Sequence, residues 1–363
     1  MIDLRLRVDA PPLDRPLVVR LRETFLAGEQ GEHDAFLIGA DKVSREFDFH
    51  GFSLTVHAPA TTPLDGDVLL IPHDGSAARR LVRAGSKHNT FLVTEQCDQL
   101  CVMCSQPPKK YHVDVFEYLE IAAQLAPQNA YIGITGGEPL LHKEKLFRFL
   151  RSVTAARPDL RFHILSNGQF FEAGDMETLA DIGWARMLWG IPLYAADAQV
   201  HDSIVGKQGA FDRLQKSFQL LIRAGASVEL RTVILRQNWA HLPALASYVT
   251  TRLPFLDVWA LMQLENIGYG RMNWSSSFQD TSLDFGLLKT AVNVAIAHDI
   301  RVLLYNFPLC SVPKAYRHLA PSTISDWKRK YLEFCDGCAV RSACGGFFEW
   351  YKHTQGFGGL AAQ

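Results

Sequence analysis

The first 96 residues of this chain contain no cysteine, although seven cysteines follow them. The chain also lacks an apolar run long enough to span a bilayer, and Met1–Arg7 does not have the pattern of a secretory signal. We therefore expect a cytoplasmic protein with no membrane segment. An odd number of closely spaced cysteines in such a protein favours metal binding over disulfides.

An excess of positive charge is missing as well. Lys and Arg number 37 against 38 Asp and Glu, which gives a net charge of −1. Nucleic-acid binding depends largely on the neutralisation of phosphates, so this balance argues against a nucleic-acid partner. With 363 residues, 48% of them hydrophobic, the chain is long enough for about two domains with a large core.

Residues 1–88 contain short apolar or alternating runs that are separated by Pro, Gly and Asp, such as Phe52–His57 and Asp67–Pro72. Such runs predict a small β-rich region. The region carries no motif that indicates a reaction. Pairing of an exposed strand edge with a peptide is one role that it could serve.

Between residues 89 and 300 the patterns of strands and helices alternate six times. Strands are expected at 90–95, 130–135, 161–166, 186–194, 227–235 and 257–263. Helices are expected near 114–126, 140–156, 175–182, 211–224, 240–252 and 282–299. Six βα units in succession imply a parallel sheet with right-handed crossovers. A curved, open barrel and a flat doubly wound sheet both fit, but no G-x-G-x-x-G motif follows the first strand, which counts against a nicotinamide-binding flat sheet.

Three unusual segments follow the first three of these strands. They are the C-x3-C-x2-C motif Cys97–Cys104, the segment Gly136-Gly137-Glu138-Pro139 and the segment Ser166-Asn167-Gly168. In parallel α/β folds the reactive residues gather where strands end and βα loops begin. We therefore expect all three segments on one rim of the fold.

Cys97, Cys101 and Cys104 can hold three corners of a cubane iron–sulfur cluster and leave the fourth iron open to a small molecule. Zinc is the alternative, but it would require a fourth ligand nearby. The nearest candidate, His112, lies beyond Pro107-Pro108. The spacing therefore favours an iron–sulfur cluster.

The C-x3-C-x2-C motif after the first of six βα units resembles the radical S-adenosylmethionine (SAM) superfamily, over roughly residues 90–300. The resemblance implies a partial (β/α)6 TIM-like barrel and a [4Fe-4S] cluster on the three cysteines. SAM would chelate the open iron through its amino and carboxylate groups. One electron would then cleave the sulfonium, and the resulting 5′-deoxyadenosyl radical would abstract hydrogen from a substrate.

The same resemblance implies a set of cofactor-binding residues: Met103, Gly136, Gly137, Glu138, Pro139, Ser166, Asn167 and Arg231. The GGEP segment would bind the methionine amino group, because glycines let backbone carbonyls approach an ammonium and a carboxylate adds opposite charge. Proline suits the first turn of the helix that follows. A tight strand-to-helix turn is the alternative interpretation of this segment.

The resemblance also implies roles for Met103 and Arg231. Met103 stands where the family usually has an aromatic residue, and it can still shield the cluster. Arg231 on the fifth strand could pair with the methionine carboxylate, although a structural charge is the alternative. His201-Asp202 is interpreted as a loop that leads into the fourth helix, with no catalytic role.

The last four cysteines, Cys310, Cys335, Cys338 and Cys344, lie in residues 301–363 and are followed by Gly345-Gly346. A short segment of this kind is expected to fold around metal. The pattern resembles the auxiliary-cluster lobes, called twitch or SPASM, of peptide-modifying radical SAM enzymes. It implies one further [4Fe-4S] cluster, since position 348 is Phe where the longer pattern has Cys. A four-cysteine zinc site is the alternative.

The residues around the cysteines, 94–109 and 308–310 with 344–347, are similar to the HxsC maturases of the His-Xaa-Ser system. This resemblance implies a cytoplasmic oxidoreductase that modifies a ribosomally made peptide (RiPP) precursor with His-Xaa-Ser repeats. It also implies a partner radical SAM maturase and an electron donor of flavodoxin or ferredoxin type. The alternatives are a radical SAM enzyme that acts on a small molecule or RNA, and a non-catalytic, zinc-stabilised interaction protein.

Overall fold

The computed structural model describes residues 3–24 and 31–363. Its first seven strands are β1 (Arg5–Asp9), β2 (Leu17–Arg22), β3 (Asp34–Ala40), β4 (Ser44–Phe49), β5 (Phe52–His57), β6 (Val68–Ile71) and β7 (Ala77–Val82). They close into a barrel in the order β1-β5-β4-β3-β2-β6-β7. The predicted β-rich N-terminal region is thereby confirmed.

The interior of this barrel is a small apolar core of its own. Val8, Val19, Phe47 and Val56 are fully buried there, because alternate residues of each strand point inward. Strand β1 pairs with both β5 and β7, so these strands leave no free sheet edge. Edge pairing with a peptide, considered from the sequence, is therefore not available to the seven strands.

A second sheet consists of β8 (Asn89–Thr94), β9 (Tyr131–Gly136), β10 (Arg161–Leu165), β11 (Met187–Pro192), β12 (Ser227–Ile234), β13 (Val258–Gln263) and β14 (Val302–Tyr305). All neighbouring strands are parallel and follow one another in chain order. The six predicted strands correspond to β8–β13. The seventh strand, β14, was not predicted, and it extends the sheet past the expected boundary at residue 300.

The helices are α1 (Phe116–Gln124), α2 (Lys143–Ala156), α3 (Met176–Ile182), α4 (Ala198–Val205), α5 (Ala210–Arg223), α6 (Arg236–Trp239), α7 (Leu242–Arg252), α8 (Gly268–Met272), α9 (Trp274–Ser277) and α10 (Gly286–Ala297). The predicted helices correspond to α1, α2, α3, α5, α7 and α10. Helix α2 shows why they form: Leu146, Leu150 and Val153 recur at helical spacing and are buried. Within the described ranges no helix is both long and apolar enough to cross a membrane.

Burial alternates along the strands of the main sheet. Ile134, Ile164, Trp189, Leu230 and Leu304 are buried against the helices in one core, while most of the residues next to them are partly exposed on the other face. A doubly wound sheet would have helices on both faces and bury both. The sequential strand order and the one covered face therefore identify an open, partial TIM-like barrel.

The C-terminal residues run over the rim of this barrel in short 3-10 turns and a two-stranded hairpin, β15 (Arg329–Lys330) and β16 (Phe347–Phe348). Arg83, just after β7, forms two hydrogen bonds of 2.8 Å with Asp326 in this segment. Val18 and Leu70 of the small barrel belong to the same core as the main sheet. Both flanking regions therefore pack on the partial barrel.

Candidate functional site

The loop Cys97–Cys104 follows β8 and is held in place by long-range backbone hydrogen bonds. Leu100 N donates to Val205 O at the end of α4, at 3.0 Å. Tyr269 N, in α8, donates to Cys104 O at 2.8 Å. The conformation of the cysteine loop is therefore set by the helices around it as well as by its own sequence.

The three thiols lie in surroundings that disfavour their ionisation. Burial, together with the nearby carboxylates of Asp98 and Glu138, raises the pKa of Cys97 to about 11. Burial also raises the pKa of Cys101 and of Cys104. A metal reverses this preference, because a coordinating thiol loses its proton. Three clustered thiols free of disulfides are thus a donor set that fits a cationic iron–sulfur cluster.

The glycines after β9 pack directly against the cysteine loop. Glu138 N donates to Gln96 O at 2.7 Å. A Cβ atom on Gly137 would lie 2.1 Å from Gln96 O and 2.9 Å from Cys97 Cβ, and one on Gly136 would also meet backbone. No side chain fits at Gly137, so the cysteine loop and the GGEP segment can approach this closely only with glycine.

The carboxylate of Glu138 is fully buried and accepts three hydrogen bonds. The donors are Leu140 N at 2.8 Å, Ser166 Oγ at 2.8 Å and Asn167 N at 2.5 Å. Burial outweighs these donors and raises the pKa of Glu138 to about 7. Glu138 therefore connects the ends of β9 and β10, and Pro139 opens the short 3-10 turn that follows it. Contact between Glu138 and an ammonium group stays a prediction.

Two charged residues that the sequence did not single out lie beside the first cysteine. Asn167 Nδ2 donates to Asp98 Oδ1 at 2.7 Å and lies 3.9 Å from Cys97 Sγ. Lys207, in the turn after α4, forms an ion pair with Asp98. The position of Asp98 next to Cys97 could have identified it from the sequence. Lys207 is 109 residues from Asp98 along the chain, and nothing in the sequence connects the two.

Of the other predicted cofactor residues, Met103 lies in the cysteine loop and Arg231 in the middle of β12. Met103 is buried in an apolar cluster that includes Tyr194 and Leu264. Arg231 lies on β12 and forms an ion pair with Glu229, and its side chain is 20% exposed. Direct contact of either residue with a cofactor stays a prediction.

Gly268, the first residue of α8, supports the third cysteine and was missed because it lies far along the chain from it. It has a φ of +55°, and a Cβ there would lie 2.4 Å from Cys104 O. We expect Gly268→Ala to break the backbone hydrogen bond from Tyr269 N to Cys104 O and to lower the free energy of unfolding by more than about 1 kcal/mol. The iron content after anaerobic reconstitution should fall as well. Unfolding curves and iron analysis measure both effects.

The matched control is Gly225→Ala, at a φ of +64°, where nothing lies within 4 Å of the added Cβ. It carries a similar backbone penalty without the clash. Equal iron loss in the two variants would contradict a supporting role for Gly268.

His201 and Asp202 lie inside helix α4, so the expected loop at this position is wrong. The side chains of both residues make contacts within the fold. Asp202 accepts hydrogen bonds from Gly209 N and Phe211 N at the start of α5, and His201 Nδ1 accepts one from Tyr194 N at 3.3 Å. Burial lowers the pKa of His201 from 6.5 to about 4. The histidine is therefore neutral in the folded protein at neutral pH.

This depressed pKa predicts a pH dependence of stability. As the pH falls, His201 takes up a proton in the unfolded chain before it does so in the folded protein. The contribution of neutral His201 to the free energy of unfolding is therefore complete above pH 6.5 and is lost as the pH falls toward 4. The loss amounts to about 3 kcal/mol of unfolding free energy. We expect His201→Gln to flatten that part of the profile in chemical unfolding, and His318→Gln, an exposed position, to leave it unchanged. An unaltered slope in His201→Gln would refute the assignment.

The four C-terminal cysteines also come together. Burial raises the pKa of Cys310 to about 12, with Cys344, Cys335 and Cys338 adding to the rise. Cys344 Sγ accepts hydrogen bonds from Leu309 N and Gly346 N, both at 3.3 Å. Backbone donors of this kind are typical of thiolates that hold a metal cluster. Within the described part of the chain, no three His, Cys, Asp or Glu residues are arranged to hold a single metal ion.

Comparisons with known proteins agree with this geometry. Residues 91–249 match the family model described as the radical SAM superfamily. An AdoMet-dependent heme synthase of Oleidesulfovibrio alaskensis is 26% identical over 174 residues, which is 46% of this chain and 41% of that protein. The subtilosin biosynthesis protein AlbA of Bacillus subtilis is 24% identical over 168 residues, which is 45% of this chain and 36% of that protein.

The fold comparison gives the same result. A solved structure of native anSMEcpe with bound AdoMet matches with a TM-score of 0.51 at 13% identity, over 74% of this chain and 79% of that chain. The segment 91–249 is therefore similar to the radical SAM superfamily, and the solved structure supports the fold. The chain spans 36–41% of the length of these two curated relatives, whose names refer to different activities.

Proposed function

We propose that this chain is a radical SAM enzyme that modifies a ribosomally made peptide. The observation that supports it most directly is the contact between the cysteine loop and the GGEP segment, through Glu138 N and Gln96 O at 2.7 Å. It supports one site that combines the three thiols with the GGEP segment. Two groups of cysteines, one with three thiols and one with four, support two clusters of different reactivity.

Each part of the site has a defined task in this proposal. Cys97, Cys101 and Cys104 hold a [4Fe-4S] cluster, which when bound supplies single-electron cleavage of SAM. The GGEP segment and the Asn167–Asp98 hydrogen bond orient the cysteine loop. The C-terminal cysteines hold a second cluster beside the barrel rim. The partial barrel orients the cosubstrate and shields the radical from water.

The peptide substrate is supported by the resemblance of the cysteine segments to maturases of the His-Xaa-Ser system. It is supported further by two relatives whose names refer to peptides, AlbA and a PqqA peptide cyclase of Granulibacter bethesdensis, 25% identical over 156 residues. A partner maturase, a flavodoxin- or ferredoxin-type donor and a cytoplasmic location belong to the same proposal. The heme synthase relatives favour a second candidate, a small-molecule substrate.

The test is an anaerobic incubation of the reconstituted protein with SAM, dithionite and a precursor peptide bearing His-Xaa-Ser repeats, read by mass spectrometry. We expect 5′-deoxyadenosine and a change in peptide mass. Conversion of a small molecule such as a porphyrin precursor, with the peptide unchanged, would establish the second candidate. Zinc without acid-labile sulfide would instead support a non-catalytic interaction protein.

A further inference from the structure

Glu265 is a half-buried carboxylate to which the proposed function gives no role. It lies in the loop between β13 and α8, and its side chain is 20% exposed. It forms an ion pair with Lys328, whose Nζ lies 3.7 Å away and therefore beyond hydrogen-bond distance. Among residues 3–24 and 31–363 no donor forms a hydrogen bond with this carboxylate. Its oxygens therefore keep their capacity to accept hydrogen bonds from a ligand.

The loop that carries Glu265 packs directly against the cysteine loop. A Cβ atom on Gly270 would lie 2.5 Å from Glu265 O and 3.4 Å from Met103 O, so the backbones of Glu265 and Met103 are close neighbours. Tyr269 N donates to Cys104 O at 2.8 Å in the same region. These contacts fix the backbone of Glu265 beside the first group of cysteines.

Lys328 connects Glu265 with the second group of cysteines. It lies immediately before β15, which pairs with β16, and its carbonyl oxygen accepts a hydrogen bond from Glu349 N at 2.8 Å. Strand β16 begins three residues after Cys344. The ion pair between Glu265 and Lys328 therefore joins the barrel rim to the C-terminal lobe, in the region between the cysteine loop and the hairpin that follows Cys344.

Aromatic rings surround the cationic end of this ion pair. Lys328 Nζ lies 5.0 Å from the centre of the Phe348 ring and 5.8 Å from the centre of a Trp327 ring. Trp350 stacks on Phe348 with 5.5 Å between ring centres. Its Nε1 is buried, and no hydrogen-bond partner for it exists in the part of the chain that the structure describes. Because the faces of aromatic rings attract cations, the rings and the carboxylate favour the same kind of ligand.

The surroundings of Glu265 also favour a cation beside it. Burial raises the pKa of Glu265, and Lys328 opposes this rise. A second cation next to the carboxylate would act in the same direction as Lys328 and stabilise the charged form. A half-buried carboxylate is screened less by water than an exposed one, so it attracts such a cation more strongly.

We propose that Glu265 binds a basic side chain of the peptide substrate, an imidazole, a guanidinium or an ammonium. These groups share an N–H donor and can carry a positive charge, which a carboxylate among aromatic rings recognises. Lys328 is a positioning residue, because it holds the Glu265 side chain between the barrel rim and the lobe. The inference rests on the proposed function, since it takes the substrate to be a peptide, and it adds the class of side chain that the site selects.

The test measures binding in the absence of turnover. The reconstituted holoprotein without reductant is titrated into a fluorescently labelled peptide with His-Xaa-Ser repeats, and into a neutral version in which Gln replaces every His, Lys and Arg. Fluorescence anisotropy gives both dissociation constants. We expect the wild type to bind the basic peptide about tenfold more tightly than the neutral one. Glu265→Gln keeps the shape of the side chain and should remove most of this preference.

Two further variants separate a local contact from the effect of net charge. Glu265→Asp keeps the charge and shortens the side chain by one methylene, so it should retain part of the preference. Glu172→Gln is the matched control, because Glu172 is also a glutamate of the partial barrel in an ion pair, with Lys143 Nζ at 2.9 Å. It should leave the preference unchanged. An equal loss of preference in Glu172→Gln and Glu265→Gln would overturn the inference.

The remaining outcomes distinguish this inference from the proposed function. Equal affinity of the wild type for the two peptides, or an unchanged preference in both Glu265 variants, would overturn this inference alone. A wild type that forms 5′-deoxyadenosine from SAM but binds neither peptide would overturn the peptide function together with it. Equilibrium dialysis with SAM tests the cosubstrate as another source of the cation. Weaker SAM binding in Glu265→Gln, with the peptide preference unchanged, would assign Glu265 to the SAM ammonium and overturn its assignment to the peptide.

Discussion

Replacement of Cys97, Cys101 and Cys104 by alanine in one variant should abolish formation of 5′-deoxyadenosine. The three thiols are the donors on the rim beside the GGEP segment, and burial keeps each of them protonated in the absence of a metal. Without them nothing in the loop can hold a cluster there. The assay is chromatographic detection of 5′-deoxyadenosine after anaerobic incubation with SAM and dithionite.

Iron analysis makes this prediction quantitative. Loss of one cubane corresponds to about four irons per chain. The backbone hydrogen bonds from Leu100 to Val205 and from Tyr269 to Cys104 do not use the thiols, so the variant should stay folded, which circular dichroism can check. Formation of 5′-deoxyadenosine at the wild-type rate in the folded triple variant would refute the assignment of these cysteines.

The second large effect is expected at the C-terminal cysteines. Replacement of Cys310, Cys335, Cys338 and Cys344 by alanine should stop peptide modification while cleavage of SAM persists. The cysteine loop is attached to α4 and α8, and its hydrogen bonds do not involve these four thiols. The first site can therefore form without the second. Mass spectrometry of the peptide and the 5′-deoxyadenosine assay separate the two effects.

The quadruple variant removes buried side chains, since Cys335 and Cys344 are 7% and 8% exposed. Cys338→Ala is the milder companion, because this residue is only half-buried. Both variants should lose about four irons per chain relative to the wild type. Loss of zinc in place of iron would identify the zinc alternative, and unchanged metal content would contradict a metal site in this lobe.

The rim of the partial barrel could be predicted from local sequence. Each of the strands β8–β13 is a largely apolar segment bounded by turn residues. The cysteine loop, the GGEP segment and Ser166-Asn167-Gly168 directly follow the first three of these strands. Strand β14 was missed because Val302–Tyr305 is four residues long and lies beyond the last predicted helix. An apolar run of that length does not by itself distinguish a strand from another buried segment.

The supports of the site were less accessible to sequence reasoning. Lys207 and Gly268 have no motif around them, and their contacts with Asp98 and Cys104 join loops that follow different strands. The three hydrogen bonds that the Glu138 carboxylate accepts from Ser166 and from the backbone were not predicted either. Such pairings depend on strand order and register, which spacing along the chain does not specify.

The sequence by itself determined which reactive groups lie together within one loop. Thiols at C-x3-C-x2-C spacing and glycines before an acid are local features, because a few backbone angles place the groups of one loop. Only the tertiary structure decided that the N-terminal strands close on themselves and that Glu229 meets Arg231, His163 and Tyr305 across Gly190. These contacts require four separate strands to lie in one register, and that register results from the packing of the whole sheet against its helices.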